Sequence, residues 1–166
     1  QKFYFGNRTL MEEKGMDYAP YESEIQKLEN EGKTAMILAS DRPLGVVAVA
    51  DTLKEMAAQS VEFLKKAGLE VWMITGDNER TAQAMGKNLG IDNIMARVLP
   101  NDKAIKVKEL QMKGQIVAMV GDGVNDAPAL AQADLGIAVG SGTVVAIETG
   151  DIILIKYVLR DVATAI

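Results

Sequence analysis

The chain of 166 residues suits one domain, or one and a fraction, and its 48% hydrophobic content is normal for a globular core. It has neither cysteine nor histidine, which excludes disulfides, thiolate nucleophiles, imidazole bases and a conventional zinc site within it. A net charge of −5 with no basic block argues against nucleic acid as a partner, and no apolar run approaches the ~20 residues of a membrane span. A soluble segment is expected. The abrupt start at Gln1-Lys2-Phe3, without an initiator Met, reads as a piece of something longer.

Lys2 to Phe5 reads as a short strand, and Gly6-Asn7-Arg8 as a turn before a short helix at Leu10 to Lys14. Pro20 to Glu31 predicts a helix with Ile25 and Leu28 on one face and charges on the other. Thr34 to Ser40 and Leu44 to Ala50 predict a β-hairpin turning at Asp41-Arg42-Pro43. This first part is α+β in character and reads as too small to bury a good core of its own. From residue 51 the pattern changes to alternating helices and strands. Helices are expected at Lys54 to Ala67, from Asp77 or Asn78 to Leu89, at Asp102 to Met112, up to Ala133, and from Leu159. Strands are expected at Val71 to Ile74, Ile94 to Ala96, Ile116 to Val120, Leu135 to Val139 and Ile152 to Ile155. The fold class is therefore α/β: a parallel, Rossmann-like, doubly wound sheet with helices on both faces, preceded by a partial α+β subdomain.

In such sheets ligands bind beyond the carboxyl ends of the strands. Here those ends are Asp51, Thr75-Gly-Asp-Asn78 and Gly121-Asp-Gly-Val-Asn-Asp126. Gly121-Asp122-Gly123 allows a tight turn and close approach of a ligand to the backbone. Asp126 can cap a helix that opens Ala127-Pro128. Two carboxylates, Asp122 and Asp126, with the carboxamide of Asn125 suit a hard cation, Mg²⁺, whose shell is completed by phosphate oxygens. Thr75 offers a hydroxyl and Gly76 a backbone N–H to a phosphate oxygen. Lys103, at a helix start, can offset the charge of a transferring phosphoryl group. Together these groups describe a phosphoryl-transfer site that still needs a nucleophile.

Gly121-Asp-Gly-Val-Asn-Asp-Ala-Pro-Ala-Leu130, Thr75-Gly-Asp-Asn78 and Asp51-Thr-Leu-Lys54 together resemble the phosphorylation domain of a P-type cation-transporting ATPase, which has the haloacid-dehalogenase-like fold. Ala131-Gln-Ala-Asp-Leu-Gly-Ile-Ala-Val-Gly-Ser-Gly-Thr143 and Ala146-Ile-Glu-Thr-Gly-Asp151 are most similar to the heavy-metal branch, especially the copper exporters. Gly6-Asn7 with Leu10-Met11 resembles the end of that branch's nucleotide-binding domain. The resemblance covers nearly the whole chain. It implies residues 1–45 as the C-terminal remnant of the nucleotide-binding domain and 46–166 as a phosphorylation domain lacking its first strand and phosphorylated aspartate.

The roles it implies are these. Asp122 would be a Mg²⁺ ligand, and Asn125 and Asp126 would organise the phosphate and the outer ligands of the metal. Thr75 and Lys103 would bind the phosphoryl group, with Gly76 and Asp77 shaping the loop. Gly6 and Asn7 would meet ATP, and Asp51 and Lys54 would be hinge residues. The expected partners are the nucleophile-bearing segment, the actuator domain and the transmembrane helices of the same pump. The transported metal ion, copper(I) ahead of zinc, cadmium or silver, would bind outside this chain. The segment would work at the cytosolic face of a membrane, and the chain alone is expected to be inactive.

Three departures bear on this. The family's phosphorylated aspartate lies in an Asp-Lys-Thr-Gly-Thr motif, which is absent here, as is the His-Pro pair of the heavy-metal branch. Val144 stands where the family commonly has Asp. Two other readings use the same residues. In one, Asp51 is the nucleophile of a free-standing small-molecule phosphatase, although Leu53 occupies the position of its usual general acid. In the other, the chain is a non-catalytic nucleotide- or protein-binding module.

Overall fold

A computed structural model describes residues 2–50, 57–122, 125–139, 150–154 and 162. The amino-terminal part is a three-stranded antiparallel sheet with two helices. Strand β1 (Tyr4–Gly6) pairs with β2 (Lys33–Ala39), and β2 pairs with β3 (Pro43–Ala50). The expected hairpin is present, and β1 adds a third strand to it. Helix α1 (Arg8–Glu13) is capped by Asn7, whose Oδ1 accepts from the Leu10 N–H at 3.1 Å. Helix α2 (Glu22–Asn30) follows a 3₁₀ turn at Ala19–Tyr21, where Pro20 occupies a first-turn position.

This unit does build a core, against the expectation from its size. Met11, Ile25, Ile37 and Ala39 are all at most 1% exposed, and Tyr4, Leu10, Met16, Tyr18, Tyr21, Ala35 and Val46 close around them. The helices cover one face of the sheet, so few residues suffice. Phe5, Leu44, Val47 and Val49 remain exposed.

The rest alternates helix and strand as expected. Helix α3 (Ala57–Lys66) leads to β4 (Trp72–Ile74), α4 (Glu79–Leu89) and β5 (Asn93–Met95). A 3₁₀ turn at Pro100–Asp102 opens α5 (Lys103–Met112). Then come β6 (Ala118–Gly121), α6 (Ala127–Gln132), β7 (Leu135–Val139) and β8 (Ile152–Leu154). Among the described residues all pairings in this half are parallel, in two sheets: β4 with β5, and β6-β7-β8. The free edges of β4 and β6 are not joined to each other among the described residues. The described strands of this half thus form one two-stranded and one three-stranded parallel sheet. Asp51, Lys54, Gly123 and Val144 lie outside the described residues, as does the helix expected from Leu159 apart from Val162, which is helical. Among the described residues no helix is long and apolar enough to cross a membrane.

Close packing fixes how α4 meets β5. Gly86 has no room for a side chain: a Cβ there would sit 2.9 Å from the Ile91 carbonyl oxygen and overlap the Ile94 side chain. The Ile91 N–H bonds the Gly86 carbonyl at 2.8 Å, so the backbone cannot move aside without losing that bond. Gly86→Ala is expected to cost about 1–3 kcal/mol, read as a lower urea midpoint at unchanged slope.

Candidate active site

The acid loop follows β6. Asp126 stands at the start of α6, yet its side chain caps nothing. It accepts instead from Lys103 Nζ at 2.6 Å through Oδ1, and from the Asp122 N–H at 3.4 Å through Oδ2. The capping expected from the sequence is thus replaced by an ion pair to a residue 23 positions away. The side chains of Lys103 and Asp126 are only 16% and 13% exposed, so their attraction is screened less than that of a surface pair. Asp122 is exposed, and its Oδ1 accepts from the Asn125 N–H at 3.2 Å. Gly121 makes the arrangement possible, because a Cβ there would lie 2.6 Å from both Cβ and Oδ2 of Asp126.

Lys103 reaches this loop because Pro100 starts the 3₁₀ turn that leads straight into α5, and α5 packs against α6 through its buried side, Val107 and Leu110. Asp134 holds the other end of β6 in place. Its Oδ2 accepts from the Val117 N–H at 2.8 Å and from Gln111 at 3.0 Å, which keeps its carboxyl below the usual carboxylate range.

The second loop follows β4. The Thr75 N–H bonds the Met95 carbonyl at 2.9 Å, and its carbonyl accepts from the Val98 N–H at 3.0 Å, so the loop is pinned to the segment after β5. Thr75 Oγ1 donates to Asp77 Oδ2 at 2.8 Å and accepts from the Asp77 N–H at 3.1 Å. Gly76 is exposed, and a Cβ would meet only the Val98 carbonyl oxygen at an ordinary 3.6 Å. Packing does not demand glycine here, whereas close approach of a ligand to the backbone would. Asp77 also accepts at its carbonyl from the N–H of Arg97, the one non-glycine with a left-handed backbone among the described residues (φ 55°). Asn78, rather than Asp77, caps α4 by accepting from the Thr81 N–H at 3.1 Å.

The structure thus brings Lys103, Asp122, Asn125 and Asp126 together in one cluster and Thr75, Gly76 and Asp77 in another. No described hydrogen bond or ion pair of Thr75 or Asp77 reaches the first cluster. Gly6 and Asn7 stand at the junction of β1 and α1, and the described hydrogen bond of the Asn7 side chain is to the Leu10 N–H. A third group was missed from sequence. Arg8 holds Glu22 and Glu29 together, and Glu29, 1% exposed, also accepts from Asn78 at 3.0 Å and Arg80 at 3.4 Å. A charged residue in the apolar-facing register of α2 was the only signal for it.

Among the described residues no cluster of three or more acids could cage a metal by itself. The donor set at β6 is two carboxylates one loop apart. That matches Mg²⁺, which takes one or two carboxylates and draws its other ligands from water and phosphate.

A family model described as haloacid dehalogenase-like hydrolase matches residues 1–134. The chain is 55% identical over 163 residues to a probable copper-exporting P-type ATPase of Archaeoglobus fulgidus, covering 97% of this chain and 20% of that protein. It is 50% identical over 162 residues to a copper-exporting P-type ATPase of Bacillus subtilis, with 97% and 20% covered. It therefore spans about a fifth of the length of these curated relatives. A crystal structure of a zinc-transporting PIB-type ATPase superposes with a TM-score of 0.70 at 39% identity, covering 90% of this chain and 24% of that one. With a family match across most of its length, the chain belongs to the haloacid dehalogenase-like hydrolases.

Proposed function

We propose that this chain is part of the cytosolic headpiece of a heavy-metal P-type ATPase that hydrolyses ATP through an aspartyl phosphate and moves copper(I) across a membrane. The observation that carries the reading is the Lys103–Asp126 pair at 2.6 Å beside Asp122, an acid and ammonium arrangement suited to a transferring phosphoryl group. Copper is preferred as the cargo because two relatives, at 55% and 50% identity, are named as copper exporters. Residues 1–45 would be the nucleotide-binding remnant and 46–166 the phosphorylation unit.

The nucleophilic aspartate would arrive on a strand from outside this chain. β4 and β6 each have one hydrogen-bonded edge and one edge unpaired among the described residues, which is what a strand inserted between them requires. Once it is in place, Thr75 Oγ1 and the Gly76 N–H would donate to phosphoryl oxygens. To do so the Thr75 hydroxyl must turn its proton from Asp77 to the phosphate. Lys103 would share its ammonium between Asp126 and the phosphoryl group, so that its charge is already oriented when negative charge builds up. Asp122, with Asp126 beside it, would hold Mg²⁺, which when bound neutralises phosphate charge. Asn7 would meet the nucleotide through its carboxamide N–H₂, since its Oδ1 is committed to capping α1.

The test is Mg²⁺-dependent turnover of p-nitrophenyl phosphate and acetyl phosphate by this chain, with Asp51→Asn and Asp122→Asn beside it. No turnover by any of the three, together with Mg²⁺-induced NMR shifts at Asp122 and Asn125 that vanish in Asp122→Asn, is the expected result. Turnover lost on Asp51→Asn would instead establish a free-standing phosphatase.

A further inference from the structure

Four consecutive contacts tie the amino-terminal unit to the Thr75 loop and the helix it starts. Thr34 Oγ1 on β2 donates to Asp77 Oδ1 at 3.0 Å. The Lys33 carbonyl, next in the same strand, accepts from Thr81 Oγ1 at 3.0 Å. Glu29 on α2 accepts from Asn78 at 3.0 Å and from Arg80 at 3.4 Å. Glu29 is in turn gripped by Arg8 at 2.6 and 3.1 Å, and Arg8 adjoins Asn7. The Asp77 carboxylate is thus held at both oxygens: Oδ1 by Thr34 and Oδ2 by Thr75.

We propose that Thr34 is a positioning residue for phosphoryl transfer from nucleotide: it fixes Asp77 when the amino-terminal unit is docked, and the Asp77 N–H then holds the Thr75 oxygen in place while its proton turns to the phosphate. This rests on the pump reading above. Once the Thr75 proton turns away, the Asp77 carboxylate keeps the Thr34 hydroxyl as its described side-chain partner. Thr34 holds it from a different element, β2, whose Ile37 pairs with Gly6 beside Asn7. Glu29 and Arg8 hold the same docking from the α2 side. A hydrogen bond this exposed adds little to stability, so its main consequence is orientation.

The consequence is directional. Transfer from ATP needs the nucleotide-holding unit docked against the loop, whereas phosphorylation of the same aspartate by inorganic phosphate does not. In the full-length protein containing this chain, phosphoenzyme formation is measured from Mg²⁺-ATP and from Mg²⁺ with inorganic phosphate. Thr34→Val is expected to slow the ATP route by about three- to tenfold, the size of one lost hydrogen bond, and to leave the phosphate route unchanged. Thr34→Ser, which keeps the hydroxyl, restores the ATP route. Equal loss on both routes, or no loss on either, overturns the inference. Thr75→Ala runs beside it and is expected to slow both routes. If it slows neither, the phosphoryl-site reading fails and takes this inference with it, a result that the Thr34 variants cannot produce.

Discussion

Lys103→Met is expected to slow phosphoryl transfer in the full-length protein by about 100- to 1000-fold, the range seen when one preorganised charge-stabilising group is removed from an active site. The reason is charge balance in a partly dry place. Asp122 and Asp126 bring two negative charges to the end of β6, and Lys103 Nζ stands 2.6 Å from Asp126 Oδ1 with both side chains under a fifth exposed. A phosphoryl group adds further negative charge there. Without the ammonium, Asp126 changes from a partner into a source of repulsion. Lys103→Arg is expected to recover little, because a planar fork cannot replace a compact point charge between a carboxylate and a tetrahedral phosphate. Asp126→Asn added to Lys103→Met separates the two roles of the lysine. It should recover the stability lost by stranding Asp126, as read by urea titration, and leave the rate of phosphoenzyme formation low. Recovery of the rate along with stability would reduce Lys103 to a counter-ion for Asp126.

The β6 loop was legible in the sequence because its signals are local. A β-branched run ending in Gly121-Asp122, with Asp126 and Pro128 following, specifies strand, turn and helix within a dozen residues. The same locality misled in one respect. Helix-capping rules place the Asp126 side chain on its own backbone, whereas it turns outward to Lys103 because a nearby ammonium outcompetes a neutral N–H. The choice between Asp77 and Asn78 as the cap of α4 was open for a related reason, since either residue type caps well. Thr34 on one side and Thr75 on the other draw Asp77 away, and Asn78 takes the cap.

Long-range partners leave weaker traces. Thr34 reads as one more β-branched residue in a strand, and its partner lies 43 positions on. Glu29, four residues after Ile25 and so on the apolar side of its helix, is 1% exposed, and nothing local in the sequence names the arginine that pairs with it. The division of the parallel strands into β4-β5 and β6-β7-β8 was equally hidden, because alternation of helix and strand shows that strands will be parallel and not which of them become neighbours.

Arg8→Ala tests the buried charge that joins the two halves, and it is expected to destabilise the chain by about 3 kcal/mol or more. Arg8 makes four hydrogen bonds, two to Glu22 at 2.9 and 3.0 Å and two to Glu29 at 2.6 and 3.1 Å. The Glu29 side chain is 2% exposed, so removing its main cation strands a carboxylate that water cannot reach. Asn78 and the more distant Arg80 remain to it, which keeps the cost near the lower end for a broken buried pair. The two carboxylates also push the Arg8 guanidinium above its ordinary value, so it stays charged throughout. Arg8, and then Gln26, hold the Glu22 carboxyl below its usual range. A carboxyl with a lowered folded value stabilises the fold above its unfolded value, about pH 4.3, and loses that contribution as pH falls through the folded one. The unmodified chain should therefore lose stability on the acid side more steeply than Arg8→Ala. Urea titrations at pH 7 and near pH 3 should show the gap between the two chains narrowing at low pH. A gap of the same size at both would assign the cost to lost packing of the arginine stem and not to its charge.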